Sequence, residues 1–320
     1  MHSFLIAVMT FIIPVALCRI IGIILRKSDV GCTIIAVASK FMLLFPIGII
    51  GIIIGNSYLA WFNYFAVLVF LQMPVSTLLP SLYQIVGMID PHFRHNFKLP
   101  SKENYTLKSE YILPFNGKWT VVNGGVNKSL SHSWGILSQR YAYDFIIVDD
   151  KGKSFSGNAR SVNSYYCYGM DIISPADGVV VNLYDKCKDS YVDGKNAYCD
   201  SSRIEGNSIT IKHNGSEYSV IAHIMRGSFK VKVGDIVRQG EFIAKCGNTG
   251  NSSEPHIHFQ LQAGKSFFLS AGLPIAFTDV VAQDKENYSL MDPRSCTDNL
   301  QIIGNNSYIG RGLEVENTIK

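Results

Sequence analysis

The chain has 320 residues, a net charge of +4 and a hydrophobic fraction of 47%. So small a charge, with no long Lys/Arg block, excludes nucleic acid as a partner and points only weakly to an anionic polymer or lipid surface. The hydrophobic fraction averages two materials: residues 1–89 are almost continuously apolar, and residues 90–320 carry nearly all the charge.

In chain order, three apolar stretches come first, at residues 4–25, 32–55 and 58–89. The first two have about the length that a bilayer core demands of a helix. Arg19 interrupts the first and would have to snorkel or face a neighbouring helix. Pro74 and Pro80 break the third, either into one kinked span or into a span followed by an interfacial helix. The first stretch does not read as a cleaved leader, because no Lys or Arg precedes it and no small-residue cleavage site follows. Residues 1–90 are therefore expected to be a helical transmembrane region of two to three spans in a lipid bilayer. Arg26 and Lys27 place the first loop in the cytoplasm by the positive-inside rule. The side on which the rest of the chain lies then depends on the span count.

After a linker over residues 91–114, the chain reads as an all-β soluble domain over residues 115–283. Short β-branched or alternating runs recur: TVVNGG, YAYDFIIV, GVVVNLYD, NSITIKH, YSVIAHI, EFIAKCG and HIHFQLQ. Gly, Asn and Asp turns separate them, the pattern of an antiparallel sheet or sandwich. A C-terminal extension over residues 284–320 is polar, with one apolar run at 300–303 that reads as an edge followed by a frayed terminus. Of the seven cysteines, Cys18 and Cys32 fall in the apolar part and five in the rest, with no CxxC pair to make a zinc knuckle. Cys187 and Cys199 flank a polar loop that a disulfide could close outside the cytoplasm.

The chemistry concentrates in a few residues. In GNTGNSSEPHIHFQL, residues 247–261, His256 and His258 are two apart on a strand and so face one point. Asp144 lies in an apolar and aromatic strand, where a carboxylate is costly unless it is paired or bound to a metal. His132, in SLSHSWG, leads toward that strand. Together His132, Asp144 and His258 make a two-histidine, one-carboxylate set that suits one Zn2+ per chain, with a fourth position left open. His223 closes the run YSVIAHI. With His256 it could orient a water, take its proton and steady an oxyanion. Each residue alone has a plainer reading, as a surface histidine or a hydrogen-bonded buried Asp. His2, His92, His95 and His213 read as structural or interfacial.

These residues resemble the lysostaphin-type, or LytM-like, zinc endopeptidases of bacterial cell walls. The segment YSVIAHIMRGSFKVKVGDIVRQGEFIAKCGNTGNSSEPHIHFQL, residues 218–261, is similar to that family's catalytic-His, hairpin and HxH signature. The resemblance implies an antiparallel β fold with a central groove. It makes His132, Asp144 and His258 the metal ligands, and His223 and His256 the catalytic histidines. The family's usual His–Asp spacing is much closer than the twelve residues here. The implied activity is hydrolysis of peptide cross-links in peptidoglycan, which would put residues 90–320 on the extracytoplasmic side of the cell membrane. A non-catalytic regulator of another wall hydrolase, and a peptidase acting on a secreted or membrane protein, are the alternatives. A lipoyl-type carrier would need an exposed Lys in a tight turn between paired strands, and the VKVGDIVRQGEFIA run places none convincingly. Residues 151–163 and 185–202 are long enough to wall a substrate groove.

Overall fold

A computed structural model describes residues 50, 53–55, 75–193, 203–296 and 298–318. The chain divides into two compact units, Met1–Leu79 and Pro80–Lys320. The apolar stretch at 4–25 lies outside the described residues, as do all but a few positions of that at 32–55 and the first half of that at 58–89. The described end of the third stretch belongs to helix α1 (Val75–Arg94). Pro80, expected to break the chain, lies within α1 at the cost of one helical hydrogen bond. Among the described residues, no helix is long and apolar enough to cross a membrane.

The second unit is built on antiparallel β structure, because its runs alternate every second residue. In chain order come β1 (Trp119–Asn123), β2 (Tyr143–Ile146), β3 (Asp171–Ile173), β4 (Gly178–Tyr184), β5 (Ser208–Lys212), β6 (Tyr218–Ala222) and β7 (Ile236–Val237). Then follow β8 (Phe242–Lys245), β9 (Ile257–Gln262), β10 (Phe277–Thr278), β11 (Val280–Asp284), β12 (Gln301–Ile303), β13 (Asn306–Tyr308) and β14 (Leu313–Asn317). Nine strands form the main sheet, in the order β11-β14-β1-β2-β9-β6-β5-β4-β7. The smaller sheets are β10-β13-β12 and β3-β8.

The middle of the main sheet is β2, β9 and β6. Asp144 faces His258 directly across the β2–β9 pair, and Ala222 faces His258 across β6–β9. One face of these strands feeds the core: Tyr143 and Phe145 of β2, Ile257, Phe259 and Leu261 of β9, and Ile221 of β6 are fully buried. Burying each such side chain is worth about 1.5–3 kcal/mol. Asp144, His258 and Gln260, which alternate with them, point to the other face.

The C-terminal segment differs from the expected frayed end. Leu313 and Val315 of β14 are buried, while Glu314 and Glu316 are not, so LEVEN alternates as a half-buried strand should. It pairs with β1 on one side and β11 on the other. The pairing with β1 spans almost 200 residues, and nothing local in the sequence announces it. Cys167, Cys187, Cys246 and Cys296 are free thiols. Cys199, the expected partner of Cys187, lies outside the described residues.

Candidate metal centre

Five residues singled out from the sequence converge on one point. Asp144 comes from β2, His258 from β9, His256 from the residue before β9, His223 from the residue after β6, and His132 from the loop that precedes β2. Asp144, His223 and His258 are buried, and the His132 side chain is 28% exposed.

His258 Nδ1 lies 2.9 Å from Asp144 Oδ1, and His132 Nδ1 lies 3.6 Å from Asp144 Oδ2. One donor atom from each of the three residues lies within 4.8 Å of the others. Two ligand atoms held at about 2.0–2.1 Å from a tetrahedral zinc stand about 3.3 Å apart. The two separations, one from each carboxylate oxygen, lie on either side of that value, so His132, Asp144 and His258 suit a zinc ion by donor type and proximity. His256 Nε2 stands 3.7 Å from Asp144 Oδ1, at the margin of the same point.

The local electrostatics suit ligands. Burial alone would raise the Asp144 pKa, but His132, His258 and His256 around it outweigh that and hold the carboxyl well below the usual range. Burial opposes charge on His258, yet its contacts with Asp144 win and lift its pKa above the ordinary imidazole value. His132 is lowered, by burial first, against the pull of Asp144.

His223 is set differently. Its Nδ1 donates to the Thr249 carbonyl at 2.7 Å, which leaves Nε2 as a bare acceptor. Burial, and then His256 and His258, hold its pKa well below the ordinary value, so the ring is neutral. Its ring centre is 4.5 Å from that of His256 and 5.7 Å from that of His258. His223 has φ of +61°, a left-handed conformation that is strained for a side chain of this size and is found where function demands it. The Thr249 carbonyl that holds it belongs to the GNTG turn. Gly250 has φ of +83°, and a Cβ there would run into the Gly206 backbone, so this turn needs glycine. His256 Nδ1 donates to the Glu254 carbonyl at 2.8 Å, and this too leaves Nε2 toward the centre.

Asn123 and Arg294 escaped the sequence reading. Asn123 Nδ2 donates to Asp144 Oδ2 at 3.0 Å, and Arg294 Nη2 donates to Asn123 Oδ1 at 3.0 Å. Arg294 is itself clamped on Asp292 through Nε and Nη2. The Asn in NGG reads as a turn residue, and only a bulge in the β1–β2 register brings it opposite Asp144. Arg294 lies in the C-terminal segment, past the short helix α2 (Tyr288–Met291).

Two cavities open beside the centre and share Asp144, Ser253 and His256. One, of about 390 Å³, is walled by His132, Ile136, Ile204, Glu205 and Phe267. The other, of about 360 Å³, is walled by Asn123, Glu254, Tyr288, Met291, Asp292 and Arg294. Together they make a groove with the five residues at its middle. Its far wall includes Tyr288, Met291, Asp292 and Arg294, and of residues 151–163, expected as a wall, Ser154 hydrogen-bonds the lining Glu254.

Residues 159–268 match peptidase family M23. That span contains His223, His256 and His258 and begins downstream of His132 and Asp144. An uncharacterized metalloprotease of Buchnera aphidicola subsp. Baizongia pistaciae is 33% identical over 93 residues, 29% of this chain and 20% of that protein. Another from Haemophilus influenzae is 33% identical over 101 residues, 32% of this chain and 18% of that protein. The chain thus spans about a fifth of the length of these curated relatives. Among solved structures, the catalytic domain of the prophage-encoded M23 protein EnpA from Enterococcus faecalis is similar at 15% identity and a TM-score of 0.32, over 48% of this chain and 88% of that one. Lysostaphin is similar at 22% identity and a TM-score of 0.30, over 49% of this chain and 48% of that one.

Proposed function

The chain carries a domain of peptidase family M23, and on that premise we propose that it is a zinc-dependent endopeptidase acting on the peptide cross-links of bacterial peptidoglycan. The observation that carries the proposal is the convergence of His132, Asp144 and His258 within 4.8 Å of one another at the middle of an open groove. These three would hold the metal. Held there, zinc would supply a Lewis acid for the scissile carbonyl and would lower the pKa of a water toward about 7.

The chain's own residues do the rest. His223 is neutral with Nε2 bare, the state required of a general base, so it takes a proton from the attacking water. His256, fixed through Nδ1 by the Glu254 carbonyl, turns its Nε2 to the same centre. One of the two rings then returns the proton to the departing amine nitrogen. Asn123 keeps the Asp144 carboxylate turned toward the ligands. The groove on either side takes an extended peptide, with a more apolar wall at Phe267 and Ile136 and a more polar wall at Asp292 and Arg294.

The apolar residues 1–90 are proposed to anchor the enzyme in the cell membrane, with the peptidase domain on the extracytoplasmic side beside its polymer. The support for this is composition and the place of peptidoglycan. Tethering raises the effective concentration of enzyme at the wall.

The test uses the full chain in detergent, loaded with zinc or stripped by chelator. Metal analysis should give one zinc per chain, and release of new amino termini from purified cell walls should depend on it. Wall cleavage at full rate in stripped protein would refute the mechanism. Cleavage of a denatured protein but not of walls would move the substrate to a secreted or membrane protein.

A further inference from the structure

β9 presents two opposite faces. Ile257, Phe259 and Leu261 enter the core, and His258, Gln260 and Gln262 lie on the other face, every one of them buried. Buried polar groups persist where each finds a partner. Here the partners form a chain whose direction is set at its far end.

Gln262 Nε2 faces two backbone carbonyls, Gly264 O at 2.8 Å and Ser266 O at 3.0 Å. A carbonyl oxygen only accepts, so that end of the amide is the NH2 and the other end is the oxygen. Gln262 Oε1 in turn receives Gln260 Nε2 at 2.6 Å, which commits the Gln260 oxygen to the opposite side. That oxygen stands 3.0 Å from His258 Nε2. Two acceptors cannot face each other there, so Nε2 carries the hydrogen. The remaining nitrogen, Nδ1, is the one turned to Asp144. Without a metal both nitrogens face acceptors and the ring carries a hydrogen on each; a metal bound beside Asp144 would displace the Nδ1 hydrogen and take that lone pair, while Gln260 keeps the hydrogen on Nε2. Reversing one amide would put two donors or two acceptors face to face. Reversing the whole chain would put the Gln262 oxygen against two carbonyls.

We propose that Gln260 and Gln262 are positioning residues of the metal centre, which fix His258 as its Nε2–H tautomer and so hold Nδ1 ready as the ligand atom. The assignment rests on the reading of His258 as a ligand. Gln262 reaches the metal only through two intervening side chains, so its role is invisible in any inventory of ligands.

The tautomer can be read directly in full-length, zinc-loaded protein labelled with 15N-histidine. The Nε2–H pattern is expected for His258. Zinc affinity, measured by competition with a chromophoric chelator, should fall about 10- to 100-fold in Gln260→Leu, the range for loss of an outer partner of a metal-bound histidine, and by about tenfold in Gln262→Leu. Gln260→Glu keeps an acceptor on Nε2–H but loses the donor to Gln262 Oε1, so its affinity should fall below wild type yet stay above Gln260→Leu, an order that a merely structural role would not give. An Nδ1–H tautomer in the zinc-loaded wild-type protein, or zinc affinity within twofold of wild type in both leucine variants, would overturn the proposal. If Gln260→Leu does not fold, the wild-type tautomer and Gln262→Leu decide. Protein that binds zinc but cleaves no peptide counts against the endopeptidase reading and leaves this one standing.

Discussion

His258 Nδ1 and Asp144 Oδ1 stand 2.9 Å apart, on residues that face each other across the central strand pair of the main sheet. The sheet continues through several strands on either side. Two of the three proposed ligands are thus carried by the part of the fold least free to move, which is where a site of fixed geometry belongs. The third, His132, comes from a loop. His258→Ala and Asp144→Asn should therefore abolish stoichiometric zinc and lower cleavage by about 10³-fold or more, since the charge stabilisation lost is several kcal/mol at about 1.4 kcal/mol per tenfold. His132→Ala should weaken binding without abolishing it. Metal analysis after gel filtration checks the order, and a His258→Ala protein with wild-type zinc would sink the assignment.

Asn123 provides a separate test, because it touches Asp144 at Oδ2, the oxygen that His258 does not face. Asn123→Ala removes the donor to Asp144 Oδ2 and should weaken zinc about 10- to 100-fold. Arg294→Ala, which frees Asn123 to turn, should weaken it in the same direction and by less. Asn123→Asp puts a second carboxylate beside the first and should be the worst of the three. Chelator competition on the purified variants measures all of them. Equal affinity for wild type and Asn123→Ala would show that the Asn–Asp contact does not hold the carboxylate.

What the sequence made legible follows the range of the interactions. Alternation within β2, β6 and β9 is local, so the strands and the buried place of Asp144 could be read from YAYDFII and HIHFQLQ. The HxH pair needed only a period of two. His132 could be found only as an available histidine, because the loop from it to β2 has no period. Asn123 could not be found, since its place opposite Asp144 depends on a one-residue shift in the ladder. LEVEN carried a clean alternation, but its partner β1 lies nearly 200 residues away. The far wall of the groove, residues 288–294, belongs to the same C-terminal segment and was hidden with it.

Metal removal should lower stability as well as activity. A ligand that binds only the folded state stabilises it by about 2.7 kcal/mol at a free concentration one hundred times its dissociation constant. For a unit of roughly this size, each kcal/mol moves the thermal midpoint by about 2–4 °C. Chelation should lower the midpoint by several degrees in wild type and by nothing in His258→Ala. A chelator-induced shift that persists in the variant would place the stabilising metal elsewhere.

Glu217 should matter to the fold and not to the metal. Its side chain is fully buried and accepts from Tyr105 Oη at 3.1 Å, Tyr111 Oη at 2.8 Å and the Lys108 amide at 2.7 Å. It thereby ties residues 105–111 to the turn between β5 and β6. Glu217→Ala leaves the buried Tyr111 hydroxyl without that acceptor and should cost about 2–4 kcal/mol in urea unfolding. Zinc affinity should stay at the wild-type value, and a parallel loss of both would mean that this anchor and the metal centre are coupled.

The last test concerns pH. His213 Nδ1 donates to the Asp177 carbonyl at 2.7 Å, and its Nε2 accepts from Ser219 Oγ at 2.8 Å, an arrangement for the neutral ring. Burial pushes its pKa below the ordinary value, against smaller pulls from Asp177 and Glu217. In the unfolded chain its pKa is about 6.5. Below that value the unfolded state binds the proton and the folded state does not, so stability falls as pH drops through about 6.5 and continues to fall until the folded pKa is reached. The slope for one such group is at most about 1.4 kcal/mol per pH unit. His223, lowered further, acts in the same sense, while His258, whose pKa is raised, acts in the opposite one. The wild-type profile is therefore a sum, and the comparison that isolates His213 is with His213→Gln. That amide can donate to Asp177 and accept from Ser219 but cannot titrate. Denaturant unfolding of the metal-free proteins between about pH 5 and 7.5 should show a shallower loss of stability toward acid in His213→Gln, by up to one proton's worth. Superimposable profiles would mean that the folded protein admits the proton at His213 as readily as the unfolded chain does.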